Sequence, residues 1–172
     1  YFLFLHEIYL IKSSQKYRKK CETSTKTHSF VDLNFVKMRN LQVCKTISSL
    51  KTLLEDLRSK QNSVALVPTM GALHHGHIEI VREASELANY VVVSIFVNPK
   101  QFNNTSDLVN YPRNIDADME LLGEIDNCIV FIPQEKDIYP EDYIELDIDL
   151  GFLDQTMEAE FREGHFKGVV NV

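Results

Sequence analysis

The chain has 172 residues, 44% hydrophobic and 25% charged, which is enough apolar material for the core of one domain and excludes a wholly disordered protein. The formal net charge of −7 argues against a nucleic-acid partner, because an acidic surface repels the phosphate backbone. Three widely spaced cysteines (Cys21, Cys44 and Cys128) form neither a disulfide framework nor a CxxC metal pair, so we expect a reducing compartment, the cytoplasm.

Residues 1–37 differ in character from the rest of the chain. The stretch 1–11 is mostly apolar, but about 20 apolar residues are needed to cross a bilayer. The basic cluster 16–20 follows this stretch, whereas a signal peptide carries its basic residues in front. Because the first methionine is Met38, we interpret 1–37 as an upstream extension that the domain does not need. A degenerate targeting segment and a genuine added arm are the alternatives. We predict no membrane partner.

From residue 38 onward, helical and strand patterns alternate along the chain. Leucines recur every three or four residues over 48–61, with Ser48 or Ser49 as the expected N-cap. Continuous apolar runs predict strands buried on both faces. The predicted helices cover 48–61, 77–88 and 115–125, and the predicted buried strands cover 64–68, 90–97 and 128–132. Residues 144–150 alternate apolar and acidic side chains, which predicts a half-exposed edge strand.

This order predicts an α/β fold with a doubly wound parallel sheet, covered by helices on both faces. In such sheets ligands bind beyond the carboxyl ends of the strands. The chemistry is therefore expected in the loops that follow Pro68, Val97 and Pro133, which are polar and contain Gly or Asn.

The loop PTMGALHHGH, residues 68–77, follows the first buried strand and leads into a helix. It is neither a Walker A loop nor a dinucleotide fingerprint. Free N–H groups and the helix dipole make its end an anion site, and Gly76 lets a phosphate approach the backbone. His74 and His77 are placed to donate hydrogen bonds to a polyphosphate, whereas His75 is expected to face solvent. A metal site and surface histidines of a turn are the alternatives.

Three strings identify a resemblance to one family: VPTMGALHHGH at 67–77, VVVSIFVNPKQF at 91–102 and NYPRN at 110–114. H-x-G-H after a buried strand resembles the signature of the HIGH-type nucleotidyltransferase superfamily. The three strings together resemble pantothenate synthetases (pantoate–β-alanine ligases), with a match from about residue 41 to residue 172. The resemblance implies a Rossmann-like nucleotidyltransferase fold and a homodimer when the chain is full length.

Site residues follow from the resemblance by position. It implies ATP contacts at Met70, His74 and His77, with His74 and His77 as catalytic residues and His77 as the proton donor. Gly71 and Gly76, in the same loop, are also expected to bind ATP. It implies contacts with pantoate or β-alanine at Gln101, Asn98, Tyr111, Glu158, Arg162 and His165. It associates Asp118 with magnesium, while a helix whose first turn is simply charged by Asp116 and Asp118 is the competing interpretation. A strand-end turn competes at 98–101, and a solvated helix face at 158–165.

The implied reaction is ATP-dependent condensation of pantoate with β-alanine through a pantoyl adenylate, with ATP as substrate and Mg²⁺ as its cation. Family members continue with a Gly-Glu-Lys-Asp stretch, a Ser-Ser-Arg-Asn loop and a small C-terminal domain. We therefore interpret residues 38–172 as an incomplete N-terminal domain, truncated at the C-terminus, and expect it to be inactive alone. Another small-molecule nucleotidyltransferase with H-x-G-H and a non-catalytic α/β binding module remain the alternative functions.

Overall fold

The computed structural model describes residues 9–10 and 41–172 of the chain, and these ranges contain five strands and six α-helices. The strands are β1 (Tyr9–Leu10), β2 (Gln42–Cys44), β3 (Val64–Thr69), β4 (Tyr90–Ile95) and β5 (Cys128–Phe131). The helices are α1 (Ile47–Ser59), α2 (His75–Leu87), α3 (Thr105–Asn110), α4 (Ile115–Leu122), α5 (Glu135–Ile138) and α6 (His165–Asn171). Short 3₁₀ turns cover Pro99–Gln101, Gly151–Gln155 and Met157–Glu160.

The strands form one sheet in the order β1-β3-β4-β5-β2. Strands β3, β4, β5 and β2 run parallel, which confirms the predicted parallel α/β sheet. Strand β1 lies antiparallel to β3, with Tyr9 opposite Leu66 and Leu10 opposite Ala65. The two edge strands, β1 and β2, were not predicted from the sequence, because segments of two or three residues are too short to show a periodicity. The remainder of 1–37 lies outside the described residues.

The sheet is covered on both faces, as the continuous apolar strands predict. Alternate residues of the central strands point to opposite faces, so Val91 and Val93 join one core cluster while Val92 joins the other. The larger cluster includes Ile78 and Val81 of α2. The smaller one includes Leu57, the buried residue of α1, together with its half-buried neighbours.

Helix α1 begins earlier than predicted, and the prediction of Ser48 or Ser49 as its N-cap is wrong. The N-cap is Thr46, whose Oγ1 accepts the backbone N–H of Ser49 at 3.1 Å. The Ser49 hydroxyl lies 3.4 Å from the backbone N–H of Thr46 and accepts from it in return. Ser49 thus serves as the third helical residue of a capping box.

The predicted edge strand over 144–150 is also wrong, since these residues form no regular secondary structure. Ile144 is 83% exposed and Leu146 is 58% exposed, so the alternating pattern does not pack on the sheet. The backbone is held by a side chain of α6 instead: the N–H of Leu146 donates to Asn171 Oδ1 at 2.7 Å, and Asn171 Nδ2 donates to the Leu146 carbonyl at 3.3 Å. Strands β1 and β2 occupy the two edges of the sheet.

Among the residues that the structure describes, no helix is long and apolar enough to cross a membrane.

Candidate active site

The parallel register brings the ends of three strands together at one edge of the sheet. Thr69 at the end of β3 lies opposite Ile95 at the end of β4, and Ser94 lies opposite Phe131 at the end of β5. The loops that follow these strands therefore adjoin one another. The Thr69 hydroxyl links the loop after β3 to strand β4, because it donates to the Ser94 carbonyl at 2.7 Å and accepts the N–H of Gly71 at 3.2 Å.

Between β3 and α2 the chain makes a tight turn through the left-handed region. Met70 is half-buried, and Gly71 and Ala72 follow with φ of 79° and 51°. Two features disfavour a side chain at Gly71. Its φ is one that residues with a Cβ rarely adopt, and a Cβ there would lie 3.0 Å from both an oxygen of Asp118 and a methyl of Ile95. The turn delivers the chain to the first residue of the histidine pair.

His74 caps α2, and His77 completes a capping box from the third helical position. The Nδ1 atom of His74 accepts the N–H of Gly76 at 3.1 Å, and the N–H of His74 lies 3.4 Å from His77 Nδ1. The two rings lie with centroids 4.1 Å apart. A Cβ at position 76 would lie 3.0 Å from the His74 ring, so Gly76 makes room for the cap itself. His75 is exposed and lies 3.7 Å from Glu79, as its exclusion from the site predicts.

These hydrogen bonds determine which ring nitrogen carries the proton. A ring nitrogen that accepts a hydrogen bond has no proton, so neutral His74 and neutral His77 both carry theirs on Nε2. Each ring then has one N–H donor at the start of a 13-residue helix, where the partial positive charge of the helix N-terminus also acts. Such a pair can stabilise negative charge on an anion without burying a permanent cation.

Asp118 is brought to the same turn by α4. It is only 2% exposed, and its carboxylate accepts the backbone N–H of Leu73 at 2.6 Å and of Ala72 at 3.1 Å. Tyr111 packs edge-to-face on Phe102, with ring centroids 5.6 Å apart. Burial raises the pKa of Tyr111, and the negative charge of Asp118 raises it further. The carboxylate hydrogen bonds of Asp118 thus go to the loop between β3 and α2. Among the described residues, no group of three acidic, histidine or cysteine side chains is placed to hold a metal ion. The predicted role of Asp118 with magnesium stays a prediction.

Asn98 and Gln101 form the turn after β4 and are both buried. The Asn98 amide nitrogen donates to Gln101 Oε1 at 3.3 Å and to the Gly168 carbonyl at 2.9 Å. Its oxygen accepts the N–H of Lys100 at 3.1 Å and the hydroxyl of Tyr139 at 2.7 Å. All hydrogen-bonding positions of Asn98 are therefore occupied by protein groups. The amide thus builds the turn, and its predicted substrate contact stays a prediction.

Gln101 is oriented by this network. Because its oxygen accepts from Asn98, its amide nitrogen is left as the donor end of the side chain. Within 41–172 the one fully buried side-chain nitrogen or oxygen without a partner is His165 Nε2. Its Nδ1 lies 3.0 Å from the main-chain carbonyl of Gln101. A carbonyl can only accept, so the His165 proton is on Nδ1, and its Nε2 is an acceptor.

The remaining predicted site residues lie on the chain leading to α6. Glu158 and Arg162 form an ion pair of 3.8 Å on neighbouring turns. Arg162 borders an open polar cleft of about 580 Å³ together with the exposed stretch that follows Phe102; its other lining residues are Asn103, Asn104, Thr105, Asp107 and Phe161. The structure thus brings the predicted site residues together in two groups. One is the histidine turn with Asp118, and the other is the 98–101 turn with His165 of α6. Tyr139 and Gly168, which complete the second group, had no distinguishing pattern in the sequence.

Comparison with known proteins decides the family. A model of the pantoate-beta-alanine ligase family matches residues 42–172. The chain belongs to this family. Pantothenate synthetase from Phocaeicola vulgatus is 46% identical over 132 residues, which are 77% of this chain and 46% of that protein. The enzyme of the same name from Nitrosococcus oceani is 41% identical over 133 residues, 77% of this chain and 46% of that protein.

Solved structures agree with the family assignment. The pantoate-beta-alanine ligase from Francisella tularensis, in complex with beta-gamma ATP and beta-alanine, has a TM-score of 0.70 and 37% identity, covering 76% of this chain and 50% of that one. The Thermus thermophilus enzyme has a TM-score of 0.63 and 36% identity, covering 75% and 45%. These neighbours confirm the Rossmann-like nucleotidyltransferase fold. The chain spans about half the length of the curated relatives that it matches.

Proposed function

We propose that this chain forms the ATP- and pantoate-binding part of a pantoate–β-alanine ligase, which joins pantoate to β-alanine with ATP as the energy source. The observation that carries the proposal is the His74–His77 capping box at the carboxyl end of β3, within a family match over 42–172. The Francisella tularensis ligase was solved with an ATP compound and β-alanine, which supports these two ligands for the present chain.

The reaction has two steps that need positioning and charge stabilisation more than covalent help from the protein. The pantoate carboxylate attacks the α-phosphorus of MgATP, and pyrophosphate leaves, which gives pantoyl adenylate. The amine of β-alanine then attacks the acyl carbon, loses a proton and displaces AMP. Mg²⁺ enters the reaction bound to ATP, as part of the nucleotide substrate.

In the first step negative charge moves onto the departing pyrophosphate. We assign the Nε2–H groups of His74 and His77 as the donors to this charge, within the partial positive charge at the N-terminus of α2. Hydrogen bonds to such a charge strengthen as it develops, so they accelerate the chemical step more than they tighten ground-state binding. Met70, Gly71 and Gly76 contribute by shaping the turn against which the nucleotide lies.

For pantoate, Gln101 supplies the recognition group. Its amide nitrogen is a donor that can meet a carboxylate or hydroxyl oxygen, while Asn98 holds the amide in that orientation. His165 and Tyr111 lie beside this turn, since His165 contacts the Gln101 carbonyl and Tyr111 packs on Phe102. Arg162, paired with Glu158, places a cation at the polar cleft, where it can attract an acidic substrate.

We further propose a homodimer acting on small molecules in the cytoplasm, without nucleic acid or membrane. The net charge of −11 over 39–172 supports the absence of a nucleic-acid partner. Large apolar side chains are exposed between α5 and α6, for example Phe152 at 77% and Phe161 at 79%, and they support a protein–protein contact. Sedimentation of the whole protein would test the stoichiometry.

The nucleotide site is tested by separating capping from anion contact. His74→Asn keeps a strong N-cap residue, and His77→Gln keeps an acceptor at the third helical position, but both remove the imidazole Nε2–H. We expect calorimetric titration with Mg²⁺ and a βγ-nonhydrolysable ATP to give about tenfold weaker affinity or worse for each. Melting temperatures should stay close to wild type.

The matched control is His75→Asn, because His75 is exposed beside the same pair. It should bind like wild type. Wild-type affinity in both His74→Asn and His77→Gln would contradict the assigned donors, and a wild-type chain that binds no nucleotide would contradict the proposed function.

Acid recognition is tested by replacing Gln101. We expect pantoate to bind Gln101→Ala about tenfold more weakly than wild type or worse, because one donor to a charged group is lost. The exposed Gln155→Ala is the control. 3,3-Dimethylbutyrate, which has a similar shape but lacks both hydroxyl groups of pantoate, should bind more weakly to wild type. Equal binding of the two acids would argue for another substrate.

A further inference from the structure

A buried carboxylate lies directly behind the turn that carries the histidine pair. Asp118 Oδ1 accepts the N–H of Leu73 at 2.6 Å, and Oδ2 accepts the N–H of Ala72 at 3.1 Å. These are the two residues immediately before His74. Hydrogen bonds from backbone N–H groups to an ionised carboxylate are among the stronger ones in proteins.

The backbone at this turn needs such support. Ala72 has φ of 51°, a left-handed conformation that costs a residue with a Cβ free energy. Successive N–H groups in a turn of this kind form a concavity that binds an anion. Here the anion is the chain's own carboxylate, and Gly71 gives it the necessary room, since a Cβ there would lie 3.0 Å from Asp118 Oδ2.

A general effect of acidic charge on α4 does not explain this arrangement. Asp116, two residues earlier in the same first turn, is exposed and supplies that charge. Asp118 instead lies on the buried face with Leu122, one turn further on. An acidic residue on an apolar helix face is uncommon unless it has a specific partner.

We propose that Asp118 is a positioning residue: its carboxylate holds the 71–73 turn and thereby fixes His74 at the start of α2. The proposal rests on the proposed function, in which that histidine pair contacts the nucleotide. In this role both carboxylate oxygens accept hydrogen bonds from the turn, a task distinct from holding magnesium.

The sign of the effect on nucleotide affinity separates positioning from simple charge. The charge of Asp118 lies near an anion site, so removing the charge alone would tighten binding of a polyphosphate. Loss of the turn's geometry would weaken it. Asp118→Asn keeps the shape, removes the charge and leaves an NH₂ group facing one of the two backbone N–H groups, so we expect weaker binding, by about tenfold.

The experiment uses the ¹⁵N-labelled 172-residue chain and two NMR readouts that need no ligand. One is amide hydrogen exchange at Ala72 and Leu73, and the other is the ring-nitrogen shifts of His74, which report its tautomer. In Asp118→Asn and Asp118→Ala we expect both amides to exchange about tenfold faster or more. We also expect His74 to lose its Nε2–H preference. Asp116→Asn, on the same turn of α4, is the matched control and should change neither readout.

Several outcomes would overturn the proposal. One is unchanged exchange and an unchanged His74 tautomer in a folded Asp118→Asn chain, even if its melting temperature falls, since that describes mere stability. Tighter nucleotide binding by Asp118→Asn is another. A Mg²⁺-dependent shift of the Ala72 and Leu73 amides that Asp118→Asn abolishes is a third, because the carboxylate would then take the cation.

The proposal stays testable if the variants do not fold. In the wild-type chain alone, Ala72 and Leu73 amides that exchange as fast as those of the exposed residues 147–149 would overturn it. Failure of the proposed function is distinguishable: a chain that binds no nucleotide but keeps both amides protected and His74 ordered retains the positioning role without the nucleotide site.

Discussion

The hydroxyl of Tyr139 donates a hydrogen bond of 2.7 Å to the side-chain oxygen of Asn98, 41 residues earlier in the chain. Tyr139 follows α5 and lies over the turn after β4. Its ring packs edge-to-face on Tyr143 at 4.9 Å, and the Lys100 ammonium lies 4.8 Å and 4.3 Å from the two ring centroids. The segment after β5 thereby covers the Asn98–Gln101 turn.

Tyr139→Phe should destabilise the chain modestly. The substitution keeps the ring contacts and removes only the hydroxyl, and the Asn98 oxygen keeps the N–H of Lys100 as a donor. We expect the free energy of unfolding in urea to fall by about 1 kcal/mol. Tyr111→Phe, which removes a hydroxyl that makes no hydrogen bond within the described residues, is the control. Equal losses in the two variants would contradict a specific contribution from the Tyr139–Asn98 bond.

Alkaline pH should destabilise the fold through the same residue. Burial raises the pKa of Tyr139 to about 12, with Tyr143 adding to the shift and the Asn98 hydrogen bond opposing it. An unfolded tyrosine ionises at about pH 10, so above that pH the unfolded state loses a proton that the folded state keeps. The contribution is complete below about pH 10 and is lost as the pH rises through about 12.

Urea unfolding at about pH 9, 10 and 11 would measure this loss. Burial also raises the pKa of the Cys128 thiol to about 12, so wild type should lose stability from both groups. Tyr139→Phe should show a shallower decline. A decline of the same steepness in both chains would assign the alkaline loss to other groups.

Gly168→Ala should separate α6 from the turn at 98–101. A Cβ at this position would lie 2.5 Å from the carbonyl carbon and oxygen of Lys100 and 2.6 Å from the nitrogen of Gln101. These are backbone atoms, so the clash cannot be relieved by a change of rotamer. We expect a loss of about 1–3 kcal/mol or more in unfolding free energy, together with weaker pantoate binding.

Gly123→Ala is the control for Gly168→Ala. Gly123 has helical φ of −62°, and its Cβ would approach the Met119 carbonyl no closer than 3.3 Å. A Gly168→Ala chain as stable as Gly123→Ala would show that α6 does not pack against 100–101 as described.

Thr46→Ala should weaken the start of α1. It removes the side-chain acceptor for the N–H of Ser49, and loss of an N-cap of this kind costs about 1 kcal/mol. Thr52→Ala, within α1 and also exposed, removes only a hydroxyl that donates to the Ser48 carbonyl of the same helix. It should leave stability unchanged or raise it slightly, because alanine is the better helix former. Chemical denaturation of both variants would decide, and a larger loss for Thr52→Ala would contradict the assigned cap.

The sequence by itself determined the central architecture and pointed to the edge of the sheet where the candidate site lies. Strands β3, β4 and β5 are continuous apolar runs bounded by polar loops, and such runs are stable only between two layers of helix. The parallel sheet follows from that requirement, and so does the choice of the edge at its carboxyl ends as the place of the candidate site. The histidine pair was found because its spacing, its glycine and its place before a helix are all local features.

Only the tertiary structure decided what the remaining side chains do. Residues 144–150 alternate like a strand, but their backbone is held by Asn171, which no local pattern reveals. The Asn98 side chain can both donate and accept hydrogen bonds, which suggested a substrate contact. In the structure, partners up to 70 residues away use all of its hydrogen-bonding positions. The sequence shows an acid at Asp118, four residues before the buried Leu122 and thus on the same helix face. It does not show that Ala72 and Leu73 are the partners of this acid. Hydrogen bonds between distant residues depend on packing in space, and periodicity along the chain carries no information about them.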